Sequence, residues 1–395
     1  MEKQWLANQG HLASLPNTVF AEALMPFMAG RLPRQILPIE LSRRALSAVA
    51  AEAVPAPTPS PGPLKKVGTT YSMAQEVRWL DTQKFAIGRW DGTLTVFHLP
   101  TQPNAGPTIT SAAVSPASSG VEMIANVTPD FFASSIDGHS IALWEKNTIH
   151  QCTGIPFSRV NFDPKSGVAN CGVVVSAGSK RFLVTGHAEG SVLIWEILSG
   201  PPKLGLVTTV DVRSPDPIPS SYRLWNVREI APVGDGLAIS GSEDGDLCVI
   251  AIPEGTVRTR MRYSATAQRG INDLSVLDDH LVVANCSVGS ADKNLWLYRV
   301  DGTDLKLLDS KNLKTDPAAP QTFNFTVELA THRNGLVYFS ATEEGLLWVG
   351  DIQQDRLLDG VTTPVSSHFG AALNFEPSQS LLAVAGDNIH LYQLT

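Results

Sequence analysis

Long hydrophobic runs are missing from this chain: no stretch of about 18 consecutive apolar residues occurs, so a membrane-spanning helix is not encoded. Cysteine is scarce, and Cys152, Cys171, Cys248 and Cys286 show neither CxxC spacing nor a staple pattern. That argues against a disulfide framework and suits reduced thiols. The opening "MEKQWLANQG" has no uninterrupted apolar run after its Lys, so no secretory leader is expected and the sequons at Asn126, Asn285 and Asn324 count as chance matches. These absences set the expectation of a soluble, cytoplasmic protein, with the nucleus left open. Basic residues are outnumbered, 30 Lys plus Arg against 38 Asp plus Glu, and a net charge of −8 gives no general affinity for polyanions.

Catalytic signatures are absent as well. There is no GxxxxGK[ST] to cradle phosphate, no HExxH and no GxSxG, since "GSEDG" puts Ser242 one place early. The nine His have no metal-ligand spacing; His187 and His139 read as polar residues at hairpin turns. Glu243, Asp244 and Asp246 lack the spacing of a calcium loop and read as a solvated turn. No cofactor, metal or small-molecule substrate is expected.

Hydrophobic residues make up 43% of the chain, ample for a large core, while 31 Gly and 27 Pro imply frequent reversals and therefore many short strands. In "FLVTGHAEGSVLIWEIL", apolar residues alternate on both sides of Glu189-Gly190, the pattern of a β-hairpin whose turn needs φ > 0. The same pattern returns six times, at Phe85–Leu99, Phe131–Lys146, Leu237–Ile252, Leu281–Val300, Leu336–Ile352 and Leu381–Leu394. Its turns begin near Asp91, Asp137, Glu189, Asp244, Asp292, Glu344 and Asp387, 43 to 55 residues apart, the length of one four-stranded propeller blade. An apolar strand precedes each hairpin ("EVRWL", "INDLSVL") and another follows ("TVRTRMRY"). Four antiparallel strands cannot hide both faces alone, so blades must pack on one another.

The chain here resembles the WD40 family of β-propellers. The family's Trp-Asp at the end of the third strand has its counterpart in Trp144-Glu145 and Trp195-Glu196, with Trp296, Trp348 and Tyr392 as looser equivalents, and its Gly-His in Ser367-His368. The other units lack that His, so the family's Asp-to-His network is incomplete in most blades. The resemblance covers residues 64–395 and implies an all-β, seven-bladed β-propeller; a sandwich or a split pair of β-domains is the alternative. The last hairpin ends at Thr395 without a fourth strand, while "LKKVGTTYS" (64–72) has no partner of its own, so pairing the two is expected to close the ring and remove an exposed sheet edge.

Residues 1–53 differ in texture. "TVFAEALMPFM" puts Val19, Phe20, Ala23, Leu24, Phe27 and Met28 on one helical stripe broken by Pro26, and "PIELSRRALSAVAAEA" starts with Pro in a first-turn position. A short N-terminal helical arm is expected, joined by the proline-rich linker 54–63 to the propeller. The arm either packs back on the propeller, docks on a partner or touches a membrane; its few cations disfavour the last.

The resemblance places hairpin turns and blade-to-blade connections on one face, which receives the enlarged segments 212–225, 286–293 and 315–323 and which such propellers generally present to proteins. Arg89, Trp90, Tyr222, Arg223 and Trp225 are candidate partner-binding residues there, being anchor-forming types, although Trp90 and Trp225 equally suit packing between blades. Arg258, Arg260 and Arg262 alternate along an outermost strand, where they guard an edge or meet an acidic partner surface or a phosphate. The reading is a non-catalytic protein-interaction scaffold, a subunit of a multiprotein complex in which an enzyme subunit is one kind of partner. Nucleic acid is disfavoured as a partner, resting on the Arg258 strip alone, and membrane binding is not expected. The alternatives are an enzyme with its active site in the central funnel, for which no cluster of convergent carboxylates stands at the hairpin turns, and a nucleic-acid-binding adaptor.

Overall fold

The hairpin of residues 182–198 forms as its alternation requires: Phe182 pairs with Glu196, Val184 with Ile194 and Gly186 with Val192, around Gly190 at φ +79°. The strand Ala169–Ala177 precedes it and Lys203–Asp211 follows, giving a four-stranded antiparallel sheet, blade 3. In the computed structural model the described residues are 64–395, apart from 72–73, 90–91, 100–107, 115–119, 148–155, 201, 219–223, 267–268, 286, 289–292, 314–321, 324, 333–334, 343–344, 359, 365–371 and 387. The expected arm (1–53), the linker (54–63) and the Ser367-His368 pair lie outside them.

Blade 1 comprises Ala74–Trp79, Lys84–Arg89, Thr93–His98 and Thr108–Val114; blade 2, Ile124–Asn126, Phe131–Ile136, Ser140–Glu145 and Ser158–Asn161. Blade 4 comprises Val227–Gly234, Leu237–Ser242, Asp246–Ala251 and Thr256–Arg262; blade 5, Ile271–Leu277, His280–Asn285, Leu295–Asp301 and Asp304–Lys311. In blade 6 (Thr326–His332, Gly335–Ala341, Leu346–Gln353) the outer strand is split into Arg356–Leu357 and Val361–Pro364. Blade 7 is Ala372–Glu376, Leu381–Ala385 and Asn388–Leu394, and its fourth strand is Leu64–Tyr71, running antiparallel from Leu64↔Leu394 to Tyr71↔Asn388. The first strand of the described residues thus completes the last blade, as the sequence predicts.

The first strands of successive blades touch in an unbroken cycle, with Ala372–Glu376 meeting Ala74–Trp79. At that junction Trp79 donates its backbone N–H to Asn374 Oδ1 (2.8 Å) and its indole N–H to the Asn374 carbonyl (3.0 Å). Apolar side chains assemble into seven cores, one per junction: Phe182, Val184 and Ile194 of blade 3 pack on Ile230, Ala238 and Ile250 of blade 4, for example, and Phe85 and Phe97 of blade 1 on Ala383 and Leu391 of blade 7. Each fully buried side chain of this size contributes about 1.5–3 kcal/mol, so no blade is stable without its neighbours.

Two irregularities repeat with the blades. The innermost strand shifts register at Gln75, Asn170, Arg228 and Asn272, and the outermost strand bulges opposite Val96/Phe97, Ile194/Trp195, Val249/Ile250 and Leu297/Tyr298. Second-strand Gly186 and Gly241 let the next blade's first strand approach, and Gly88 the segment leading into it: a Cβ on Gly88 would lie 2.3 Å from the Val121 carbonyl oxygen, and one on Gly186 2.5 Å from Val227 Cγ1.

Candidate partner-docking face and axial cluster

The connection from blade 3 to blade 4 folds over the hairpin turn of blade 4 and is gripped there. Asp244 Oδ2 accepts from Ser214 N (2.8 Å), Asp244 Oδ1 from Asp246 N (3.0 Å), and the Asp244 carbonyl from Ile218 N (3.0 Å). Asp246 binds Arg260 (3.3 Å) and Arg262 (3.1 Å), and these guanidiniums donate to the carbonyls of Val212 (2.8 Å), Arg213 (3.1 Å) and Asp216. Ile218 caps the grip by burying its side chain against Gly245, where an added Cβ would sit 2.4 Å from Ile218 Cδ1. The acidic turn is therefore not solvated, contrary to the expectation from its spacing: Glu243, Asp244 and Asp246 are all buried because the long connection covers them. Burial raises the Asp244 carboxyl to about 6, against the pull of the N–H groups of Asp246 and Ser214.

This strap carries Trp225 and Arg213 onto the Gly190 turn of blade 3. A Cβ on Gly190 would lie 2.2 Å from Arg213 Cγ and 3.3 Å from Trp225 Cβ, so the two side chains meet over the glycine. Arg213 is exposed and holds Asp211 bidentately, Nε to Oδ1 at 3.0 Å, while Trp225 is half-buried between blades 3 and 4. Sequence reasoning singled out Trp225 but passed over Arg213, which stands two residues beyond the strand end and fits no repeated pattern. Tyr222, Arg223 and Trp90 lie outside the described residues. Arg89 turns its guanidinium to Thr95 on its own hairpin. Of the basic strip, Arg260 and Arg262 are engaged by Asp246, and Arg258 stands exposed at the outer bulge, where the expected alternation breaks.

A second constellation lies around the axis. Glu76 and Arg78 of blade 1, Glu229 of blade 4, Asp273 of blade 5 and Glu328 of blade 6 are electrostatically coupled, and since blades 1 and 4 stand on opposite sides of the ring this coupling runs across the channel. Arg78 donates to Glu76 at 2.9 Å. Burial raises Glu76 to about 8, with Arg78 opposing; Glu229 and Glu328 are raised to about 7 and Asp273 well above the usual range, again chiefly by burial. Against the cost of burial, the surrounding carboxylates hold Arg78 above its ordinary value. Convergent carboxylates thus exist, on the innermost strands rather than at the hairpin turns. The signal was an acidic residue in the first strand of four units, "QEV", "REI", "NDL" and "VEL".

Their chemistry is largely structural. The innermost strands have an unpaired edge, and side chains of one blade satisfy N–H groups of the next: Asp273 accepts from Val327 N (2.8 Å), Ser275 from Leu329 N (3.0 Å) and Glu328 from Phe375 N (3.3 Å). Asn272, at the inner bulge, donates to the Phe325 carbonyl (2.8 Å) and accepts from Arg228.

His187 is fully buried rather than at the surface. Its Nδ1 donates to the Gly167 carbonyl (3.1 Å), its Nε2 accepts from Thr185 Oγ1 (2.9 Å), and Thr185 accepts from Trp195 Nε1 (3.1 Å). Burial lowers its pKa to about 4, so the ring is neutral. A shorter version, Trp144 Nε1 to Ser134 Oγ (2.9 Å), stands in blade 2. Burial likewise pushes the Cys171 thiol up and Cys248 up to about 12, leaving both unreactive. Among the described residues no group of three or more His, Cys, Asp or Glu side chains is placed to hold a metal ion, and no helix is long and apolar enough to cross a membrane.

Neither a family model nor a curated protein matches the sequence. Solved structures do match the fold. The WD40 β-propeller domain of Doa1 superposes with a TM-score of 0.61 at 12% identity, covering 84% of this chain and 97% of that one. The β-propeller domain of Cps50 (Swd1) from Myceliophteria thermophila superposes at 0.59 with 14% identity, covering 84% and 100%. Such identities carry the architecture and nothing finer, and with seven blades closed by the strand Leu64–Tyr71 the chain has the WD40-like β-propeller fold.

Proposed function

We propose that this chain is a non-catalytic interaction scaffold, a subunit of a cytoplasmic multiprotein complex whose partners are proteins, an enzyme subunit among them. The observation that carries the reading is the gripped strap: two aspartates and two arginines fix the backbone of residues 212–218 and set Arg213 beside Trp225 on the loop-bearing face. Trp and Arg dominate binding energy at protein interfaces, and a loop already held in one conformation loses little entropy when a partner docks. WD40-like propellers commonly act in this way. Residues 1–53 serve as a second attachment. The test is quantitative affinity purification of the full chain and of an Arg213→Glu/Trp225→Ala variant. Selective loss of the stably bound proteins supports the proposal; an unchanged set of proteins, or a chain that runs as a monomer alone at every salt concentration, overturns it.

The axial carboxylates favour a second reading, an enzyme acting in the channel. Against it, Asp273 and Glu328 are occupied by backbone N–H groups of the following blade. A stoichiometric metal or coloured cofactor in the purified protein would decide for the enzyme.

A further inference from the structure

Blade 7 takes its outer strand from the far end of the chain. In the other blades the outer strand follows the third in sequence, whereas Leu64–Tyr71 is held to Asn388–Leu394 by a ladder of seven residue pairs and by no neighbouring stretch of chain. An identical strand from a second copy offers the acceptor edge the same donors, acceptors and side chains. Which copy supplies it therefore depends on how easily each chain can return the strand to its own blade.

Within one copy the route is short. Ser72 and Met73 alone separate Leu64–Tyr71 from Ala74–Trp79, the innermost strand of blade 1, while the other blade-to-blade connections run from 7 residues (162–168) to 15 (212–226). Tyr71 stands opposite Asn388 on the third strand of blade 7, and Ala74 donates its N–H to the carbonyl of Gly386, just past the end of the second strand (3.0 Å). From the outer strand of a sheet to the second is two strand spacings, about 9.6 Å. The three Cα steps from Tyr71 to Ala74 reach about 10–11 Å at full stretch, so the link has almost no length to spare. A hinge this short opposes return of the strand to its own blade, an opposition that vanishes when the strand is delivered elsewhere.

We propose that two copies of this chain exchange their closing strands, residues 64–71 of each completing blade 7 of the other. The contact is reciprocal, with the same donor and the same acceptor on both copies, and each ring keeps seven blades and no new open edge. A second copy fits better than a foreign strand, because the ladder skips Val67 between Lys66 and Gly68 and so is matched to this sequence. The exchange does not depend on the scaffold reading, but it bears on it: a dimer presents two strap faces, and a bivalent partner binds two linked sites far more tightly than either alone.

The experiment uses the full chain. Lys65 pairs with Gln393 across the ladder, and paired residues of antiparallel strands lie about 4.5–5.5 Å apart between Cα atoms, a separation that a disulfide spans. A chain carrying Lys65→Cys and a differently tagged chain carrying Gln393→Cys are co-expressed and oxidised. Exchange predicts a covalent mixed dimer on non-reducing gels, absent when either variant is paired with the unsubstituted chain. Inserting Gly-Ser-Gly between Ser72 and Met73 should lower its yield roughly tenfold, since the strand then returns freely to its own blade. The proposal is overturned if no mixed dimer forms while the doubly substituted chain seals its own strand as a monomer. It is equally overturned by a bond that forms as well with the unsubstituted chain, or that the longer hinge leaves undiminished. Light scattering of the unsubstituted chain gives a second readout should the cysteine variants fail to fold: a dimer that the insertion converts to monomer supports exchange, and a monomer at every concentration overturns it.

Discussion

Mild acid should stabilise this propeller, because the axial cluster takes up protons on folding. Glu76 sits at about 8 and Glu229 and Glu328 at about 7, against 4.5 for an ordinary glutamate. Between these limits the folded chain binds protons that the unfolded chain releases, so stability is gained as pH falls through the folded values and is lost as pH rises through them. A glutamate held at about 7 contributes roughly 2 kcal/mol between pH 7.5 and 5.5. The carboxylates share one guanidinium, Arg78, so their gains overlap, and on the order of 4 kcal/mol is a reasonable total. His187 works the other way: neutral and buried with a pKa of about 4, it forgoes a proton that the unfolded ring takes near 6.5, a loss of about 1.3 kcal/mol over the same interval. The carboxylates win by about 3 kcal/mol, and at roughly 2 °C per kcal/mol for a chain this long the Tm at pH 5.5 should lie about 5 °C above that at pH 7.5. Calorimetric melts of the full chain in matched ionic strength measure it, with Glu76→Gln as the partner experiment: this variant should melt higher at pH 7.5 and respond less to acid. A Tm that is flat or falls between pH 7.5 and 5.5 would refute the account.

Three further outcomes are expected. Removing residues 1–71 leaves the strand Asn388–Leu394 without its partner, so cooperative melting should disappear and the chain should aggregate in size-exclusion chromatography. Thr185→Val strands the buried Trp195 Nε1 and the Nε2 of His187 together, a cost of about 2–3 kcal/mol readable as a shift in the urea midpoint at unchanged slope. Asp246→Ala frees Arg260 and Arg262 from their counter-ion; amide exchange at Ser214 and Ile218 should accelerate at least tenfold while the fold persists, whereas an unaltered rate would show that the strap holds itself.

The blade count and the closing strand were legible because they rest on periodicity: alternation of apolar residues, broken by a Gly that takes φ > 0 at 92, 138, 190, 245 and 345, repeats with a spacing no single hairpin needs. Burial of polar groups was not legible. Asp244 and His187 sit at turns, where sequence suggests water, and are covered by the connection arriving from the neighbouring blade, a long-range event with no local pattern. The axial carboxylates were overlooked for a related reason. Glu76, Glu229 and Glu328 read as the polar half of an amphipathic strand, and only the closed ring turns those halves toward one another. Of the partner-binding candidates among the described residues, Trp225 meets Arg213 over the Gly190 turn, whereas Arg260 and Arg262 are committed to the strap through Asp246, which is paired with Arg262 on the adjacent strand and within reach of Arg260.

The bulge that recurs at one level of the outermost strands bears on how such discs behave when crowded. A foreign strand seeking to extend any of these sheets would find consecutive donors and acceptors for only a few residues before the kink throws its spacing out, at Val207 in blade 3, Arg258 in blade 4 and Leu308 in blade 5. At these three rims, edge-to-edge strand pairing between copies is therefore cut short after a few residues.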